Sequence, residues 1–295
     1  MVLSFNLEFF GDCNKVLDFY KYIFDSLYIS VKTYREMDMA SCFGIEGERL
    51  DLIWKSVLDI CISDRNLRFE MSDSLATAMK KNVDMKNIFY NPVICIRHND
   101  DKYMYSIFEK IYKISKLDFE KFKEETVPDK CGIKWKYERC DMKGIYYVLT
   151  FDGFCNEVLS FYQDVFNINA TEVVKYQSSS YADNVSKAGM DKIYSAILEF
   201  KDGTNTYALK LGDSIQSAME GRNCYDKNAL LFYQKLYNPV FTLRGKPGEG
   251  LDFAFNRLTD GGKVNRQLSV YGENIDYGSL IDRYGICWNI YISYE

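Results

Sequence analysis

The chain repeats itself once, and that repeat sets the scale of whatever it folds into. GDCNKVLDFYKYIF (11–24) returns as GFCNEVLSFYQDVF (153–166), with eight of fourteen positions identical. IWKSVLDI (53–60) returns as IYSAILEF (193–200), and RFEMSDSLATAM (68–79) as ALKLGDSIQSAM (208–219). YNPVICIR (90–97) returns as YNPVFTLR (237–244), and VPDKCGIKW (127–135) as LIDRYGICW (280–288). Five matches in one order, at offsets between 140 and 153, define two copies, 1–141 and 142–295. A period this long is too great for a solenoid, so each copy is expected to be a domain.

Each copy reads as strand, helix and three strands, and then the same order again. In copy 2 a short alternating strand (IYYVLTFDGF) precedes a helix whose Val158, Leu159, Tyr162, Val165 and Phe166 fall on one stripe. Copy 1 repeats the stripe with Val16, Leu17, Tyr20, Ile23 and Phe24. Strands are expected near VKYQSS, at IYSAILEF and at YALKLGD. After a polar stretch come PVFTLR, the helix GLDFAFNRLTDGG, and the strands RQLSVY, YGSLIDR and ICWNIYI. The fold class is therefore α+β, built from four βαβββ modules.

Composition narrows the function. With 47% hydrophobic and 27% charged residues the chain is an ordinary globular protein. A net charge of −5 argues against nucleic acid as a partner, since phosphate binding needs a concentrated basic surface. No apolar run approaches the roughly 18 residues of a membrane span. MVLSFNLEFFGD lacks the basic region and cleavage site of a signal peptide, so a cytoplasmic location is expected. His98 is the single histidine, which leaves almost no room for a Ser-His-Asp triad or a two-histidine metal site. GxGxxG, Walker A and GxSxG motifs are absent, and GKPGEG (245–250) is no phosphate loop. The nine cysteines include no CxxC pair and read as reduced, mostly buried thiols. Cys13 and Cys155, at equivalent helix starts, are better read as small corner-packing residues than as activated thiolates. His98 is read as a surface residue, and KFKEE (121–125) as a solvated helix face.

The run GFCNEVLSFYQDVF, the pair KIYSAILEFKDG…YALKLGDS and the ending DRYGICWNI resemble the PhnB-like branch of the glyoxalase/bleomycin-resistance/dioxygenase (vicinal oxygen chelate) superfamily. The resemblance covers nearly all of copy 2, and 11–97 and 127–135 of copy 1. It implies two pseudo-symmetric glyoxalase-like domains, each curling a sheet around a cleft. Single-copy chains of this kind usually pair as dimers; here one chain would hold the pair and be monomeric. It also implies a place for a divalent metal near Tyr147, Lys210, Val240 and Asn289 in copy 2, and near Phe5, Glu70, Val93 and Lys136 in copy 1. Those residues are poor donors, so no metal and no cofactor are expected.

Strand alternation sorts the faces. Tyr194, Ala196, Leu198 and Phe200 should pack on the helix, and Trp135 and Trp288 on the core. Tyr147, Leu149, Ser195, Lys210, Thr242, Arg244, Asn289 and Tyr291 should line the copy 2 cleft, unless that face is simply the solvated side of the sheet. Lys210 and Arg244, with no acid assigned to them, point to an anionic ligand. In copy 1, Lys55, Arg68, Glu70, Arg97 and Lys136 are expected to neutralise one another. Copy 1 also spends 41 residues from Asn91 to Gly132 where copy 2 spends 47 from Asn238 to Gly285. Its last module should therefore lack a full hairpin, leaving the more degenerate cleft. No catalytic residues are assigned. The reading favoured is metal-free small-molecule binding. The alternatives are a lyase, isomerase or dioxygenase of the superfamily, or a regulatory protein that keeps only the fold.

Overall fold

The computed structural model describes residues 1–9, 13–24, 28–33, 54–62, 65–73, 93–113, 119, 126–131, 133–221, 240–271 and 274–294. Module 1 holds β1 (Val2–Phe9), α1 (Cys13–Phe24), β2 (Tyr28–Thr33), β3 (Trp54–Ile62) and β4 (Arg65–Asp73). Module 2 holds β5 (Val93–His98), α2 (Asp101–Tyr112), β6 (Val127–Pro128) and β7 (Lys134–Arg139). Module 3 holds β8 (Gly144–Phe151), α3 (Cys155–Phe166), β9 (Glu172–Lys175), β10 (Ile193–Asp202), β11 (Asn205–Asp213) and a short α4 (Ile215–Glu220). Module 4 holds β12 (Val240–Gly245), α5 (Leu251–Leu258), β13 (Lys263–Val270), β14 (Ile275–Ile281) and β15 (Cys287–Ser293). This is the mixed α and β architecture expected from the repeat. Among the described residues, module 2 has only the two-residue β6 where module 4 has the β13–β14 hairpin. The KFKEE run lies outside the described residues.

In every module the first and last strands lie side by side and parallel: β1 with β4, β5 with β7, β8 with β11, β12 with β15. The helix between them makes that arrangement possible, because parallel neighbours need a crossover. Modules then join through antiparallel first strands, and the joins cross the copies. β1 of copy 1 pairs with β12 of copy 2, with Ser4 opposite Thr242. β5 of copy 1 pairs with β8 of copy 2, with Cys95 opposite Tyr146. Each concave sheet thus takes one module from each copy.

Within a copy, the modules meet through their helices instead. The apolar stripe of α1 buries Val16, Leu17, Tyr20 and Ile23, and α3 buries Val158, Leu159, Tyr162, Val165 and Phe166. Two buried aspartates fasten these helices to the last strands. Asp129 accepts hydrogen bonds from Tyr20 Oη (2.6 Å), Trp135 Nε1 (2.9 Å) and the Cys131 and Ile133 amides. Asp282 repeats the device with Tyr162 Oη (2.7 Å), Trp288 Nε1 (2.9 Å) and the Tyr284 and Ile286 amides. Each carboxylate satisfies four donors that burial would otherwise strand. Both tryptophans are fully buried, as their strand faces predict.

The start of α3 shows why Cys155 is a packing residue. Asp213 Oδ1 accepts from the Gly153 and Cys155 amides, both at 2.9 Å, and so serves in place of an N-cap side chain. Burial, with Asp213 beside it, pushes the Cys155 thiol well above its ordinary value. Gly153 turns at φ 93, a conformation glycine adopts without strain.

Candidate functional site

The first cleft lies between modules 1 and 4. Period-two alternation brings Ser4 and Asn6 from β1, Glu70 from β4, Thr242 and Arg244 from β12, and Asn289 and Tyr291 from β15 to one face. Glu70 accepts Arg244 in a two-pronged bond, Nε at 2.8 Å and Nη2 at 2.7 Å, and also the Ser4 hydroxyl at 2.6 Å. The guanidinium lies 4.0 Å from the centre of the Tyr291 ring. Tyr291 stacks in turn on Tyr277 at 4.6 Å, and Arg266 stands over Tyr271 and Tyr277 at the rim. Tyr277 Oη donates to Asn289 Oδ1 (3.1 Å), and Asn6 Nδ2 donates to Thr242 Oγ1 (2.8 Å). This floor is open: a third of the Arg244 side chain is exposed, and Asn6, Asn289, Tyr277 and Tyr291 are half-buried.

The second cleft lies between modules 2 and 3, and its floor is lined by paired charges. Arg97 grips Glu172 through Nη1 and Nη2 at 2.9–3.0 Å, reaches Glu138 through Nε (3.1 Å), and donates to Ser195 Oγ (3.0 Å). Lys210 Nζ stands 2.6 and 2.5 Å from the two Glu138 oxygens, and Lys136 Nζ is 2.9 Å from the same carboxylate. Side-chain exposure is 5% for Arg97 and 6% for Lys210, and Ser195 is fully buried. Burial alone would raise the Glu138 carboxyl, but Lys210 and Lys136 outweigh it and hold it well below the usual carboxylate range.

Several expectations change here. The predicted copy 2 cleft is divided: Ser195 and Lys210 line the second cleft, while Thr242, Arg244, Asn289 and Tyr291 line the first. Tyr147 and Leu149 line neither. Tyr147 is 2% exposed, packs against Phe5 and Phe241, and donates to the Arg68 carbonyl; its neighbour Tyr146 faces the second cleft instead. β8 is flanked by β5 and β11 and buried on both faces, so apolar residues on both sides left its parity unmarked. Tyr194 does not share the helix face of Ala196, Leu198 and Phe200. The β10 register slips between Ile193 and Ser195, and this bulge turns Tyr194 toward Tyr181 and Lys210. Lys136 does not neutralise Glu70: it serves Glu138 in the other cleft, and Glu70 serves Arg244. The Lys55 side chain lies outside what is described. Lys210 and Arg244 each have an acid after all. Glu138 stands two residues beyond Lys136 on the same strand face, a spacing that could have revealed it; Glu172 carried no such signal.

The described residues do not fit a divalent metal. Among the described residues, the first cleft offers one carboxylate already held by a guanidinium, and the second offers two, Glu138 between two ammonium groups and Glu172 held by Arg97. Among the described residues no three His, Cys, Asp or Glu side chains gather as a metal site. His98 lies at the end of β5, its Nδ1 accepting from the Asp100 amide.

No family model and no curated protein matches the chain. Solved structures do match it in fold. Glyoxalase I from Zea mays covers 98% of this chain with 90% of its own, at 14% identity and a TM-score of 0.53. A variant of the same maize enzyme covers 98% with 92% of its own, at 14% identity and a TM-score of 0.57. The PhnB protein from Bacillus cereus covers 50% with 96% of its own, at 18% identity and a TM-score of 0.34. Among the described residues no helix is long and apolar enough to cross a membrane. Over 98% of its length this chain aligns with the fold of glyoxalase I, with four modules carried in one polypeptide.

Proposed function

We propose that the protein binds a small molecule, without a metal ion, in the first cleft. The observation that carries this reading is Arg244: its guanidinium lies at the cleft floor with a third of the side chain exposed, and Nη1 contacts no carboxylate among the described residues. The Asn289 amide group stands on the same face, its oxygen taken by Tyr277 and its two N–H donors left for a ligand. Beside them runs the Tyr291–Tyr277 stack. A ligand suited to this surface presents a carbonyl, carboxylate or phosphate oxygen to Arg244 and Asn289 and lays an apolar part along the tyrosines. Because Glu70 already offsets Arg244, an acceptor oxygen matters more here than a full negative charge. We further propose that the chain works as a cytoplasmic monomer, its cross-copy strand pairs standing where two single-copy chains would pair.

A thermal-shift screen of small carbonyl and carboxylate compounds on chelator-treated protein, followed by calorimetry, tests the binding reading. A saturable ligand should lose about tenfold in affinity on Asn289→Ala, the worth of one hydrogen bond of roughly 1–1.5 kcal/mol. Affinity unchanged by both Asn289→Ala and Tyr291→Ala, or binding that requires an added divalent ion, would overturn it. Light scattering that gives a dimer mass would overturn the monomer.

A further inference from the structure

Among the described residues, the charges of the second cleft do not balance. Three cations, Arg97, Lys136 and Lys210, face two carboxylates, Glu138 and Glu172, and no third carboxylate among the described residues bonds to any of them. Arg97 and Glu172 form a two-pronged pair. That leaves Lys136 and Lys210 sharing Glu138, both ammonium nitrogens within 2.9 Å of its Oε1. Nearby groups do not supply the missing negative charge. Burial, aided by Glu138, pushes the Cys95 thiol up to about 11 and the Tyr194 phenol to about 12. Both are neutral near pH 7. Burial also works against the charge of Lys136, but Glu138 outweighs it and raises the group, so Lys136 stays protonated. A surplus cation in a largely buried cluster is costly unless an anion accompanies it.

The opening for that anion is at Lys136. Its side chain is 31% exposed, against 6% for Lys210, so one ammonium group reaches the solvent side of the cluster. Tyr194, turned out by the β10 bulge, stands beside Lys210 with its ring centre 5.8 Å from Nζ. We infer that the second cleft is a separate binding site for a small oxyanion, a carboxylate or a phosphate, held at its mouth by Lys136 over the Lys210–Glu138 pair. The site is independent of the ligand proposed for the first cleft.

Thermal unfolding at constant ionic strength tests this, titrated with inorganic phosphate in one arm, acetate in a second and chloride in a third. Anion at ten times its dissociation constant raises the folded-to-unfolded ratio about elevenfold, a shift of about 3 °C for a chain this size. That shift is expected in the wild type with phosphate or acetate, whichever the site takes, and should persist in Lys136→Arg and Arg244→Gln. It should vanish in Lys136→Gln, which removes the surplus charge from a partly exposed position. An equal response to chloride, an equal response in Lys136→Gln, or no response to either oxyanion would overturn the inference. So would a response lost in Arg244→Gln and kept in Lys136→Gln, which would move the anion to the first cleft.

Discussion

Glu138→Gln offers the sharpest test of how the second cleft is held together. Glu138 carries three cations, with Lys210 Nζ at 2.5–2.6 Å from both oxygens, Lys136 at 2.9 Å and Arg97 at 3.1 Å. At 2.6 Å and an effective dielectric constant of roughly 20, the Lys210 attraction alone is about 6 kcal/mol in gross terms. Desolvation of both groups offsets much of it. Breaking a buried pair by neutralising one partner costs about 3–5 kcal/mol, because the other charge stays buried. Lys210, at 6% exposure, is such a charge, so Glu138→Gln should lose about 3–4 kcal/mol. Removing both charges is a different perturbation. Glu138→Gln with Lys210→Met leaves Arg97 on Glu172 and Lys136 partly in water, and should cost less than the single Glu138 substitution. Urea unfolding of wild type, both singles and the double at pH 7 closes the cycle, with a coupling energy of about 2 kcal/mol or more expected. A Glu138→Gln cost under about 1 kcal/mol, or singles that sum to the double, would refute the network as described.

The same carboxylate predicts an acid sensitivity. Its folded pKa is depressed, so its contribution is complete above the ordinary carboxylate value near 4.5 and is lost as pH falls below it; the slope of stability between pH 7 and 3 should be shallower in Glu138→Gln. Asp282→Ala and Asp129→Ala should each cost about 3–5 kcal/mol in urea unfolding, since each strands four buried donors, whereas Tyr162→Phe should cost about 1 kcal/mol. A native-state thiol titration at pH 7 should leave Cys95 and Cys155 unmodified, because both are fully buried and both thiols are pushed up; rapid labelling of either before unfolding would count against this. Gly212→Ala should cost about 1–3 kcal/mol, since a Cβ there would lie 2.7 Å from the Tyr194 carbonyl at the bulge; a neutral result would mean that the bulge relaxes freely.

The repeat, the four modules and the stripes of α1 and α3 were legible in the sequence, because each rests on local period and self-similarity. So were the faces of β11, β12 and β15. There, apolar residues alternate with polar ones such as Lys210, Arg244 and Asn289, and a one-residue slip would turn the polar set into the apolar core. Tyr147 was misplaced because β8 has no polar side to read, and Tyr194 because one bulged residue reverses the alternation. Which modules share a cleft is a different kind of information. Copy 2 supplies Lys210 to one cleft and Arg244 to the other, and each finds its acid in copy 1, Glu138 at 72 residues' separation and Glu70 at 174. Nothing local links such partners. They meet because first strands pair across the copies while the helices pack within them, and that choice, made by the tertiary structure alone, decided that one cleft keeps an open floor while the floor of the other is crowded with paired charges.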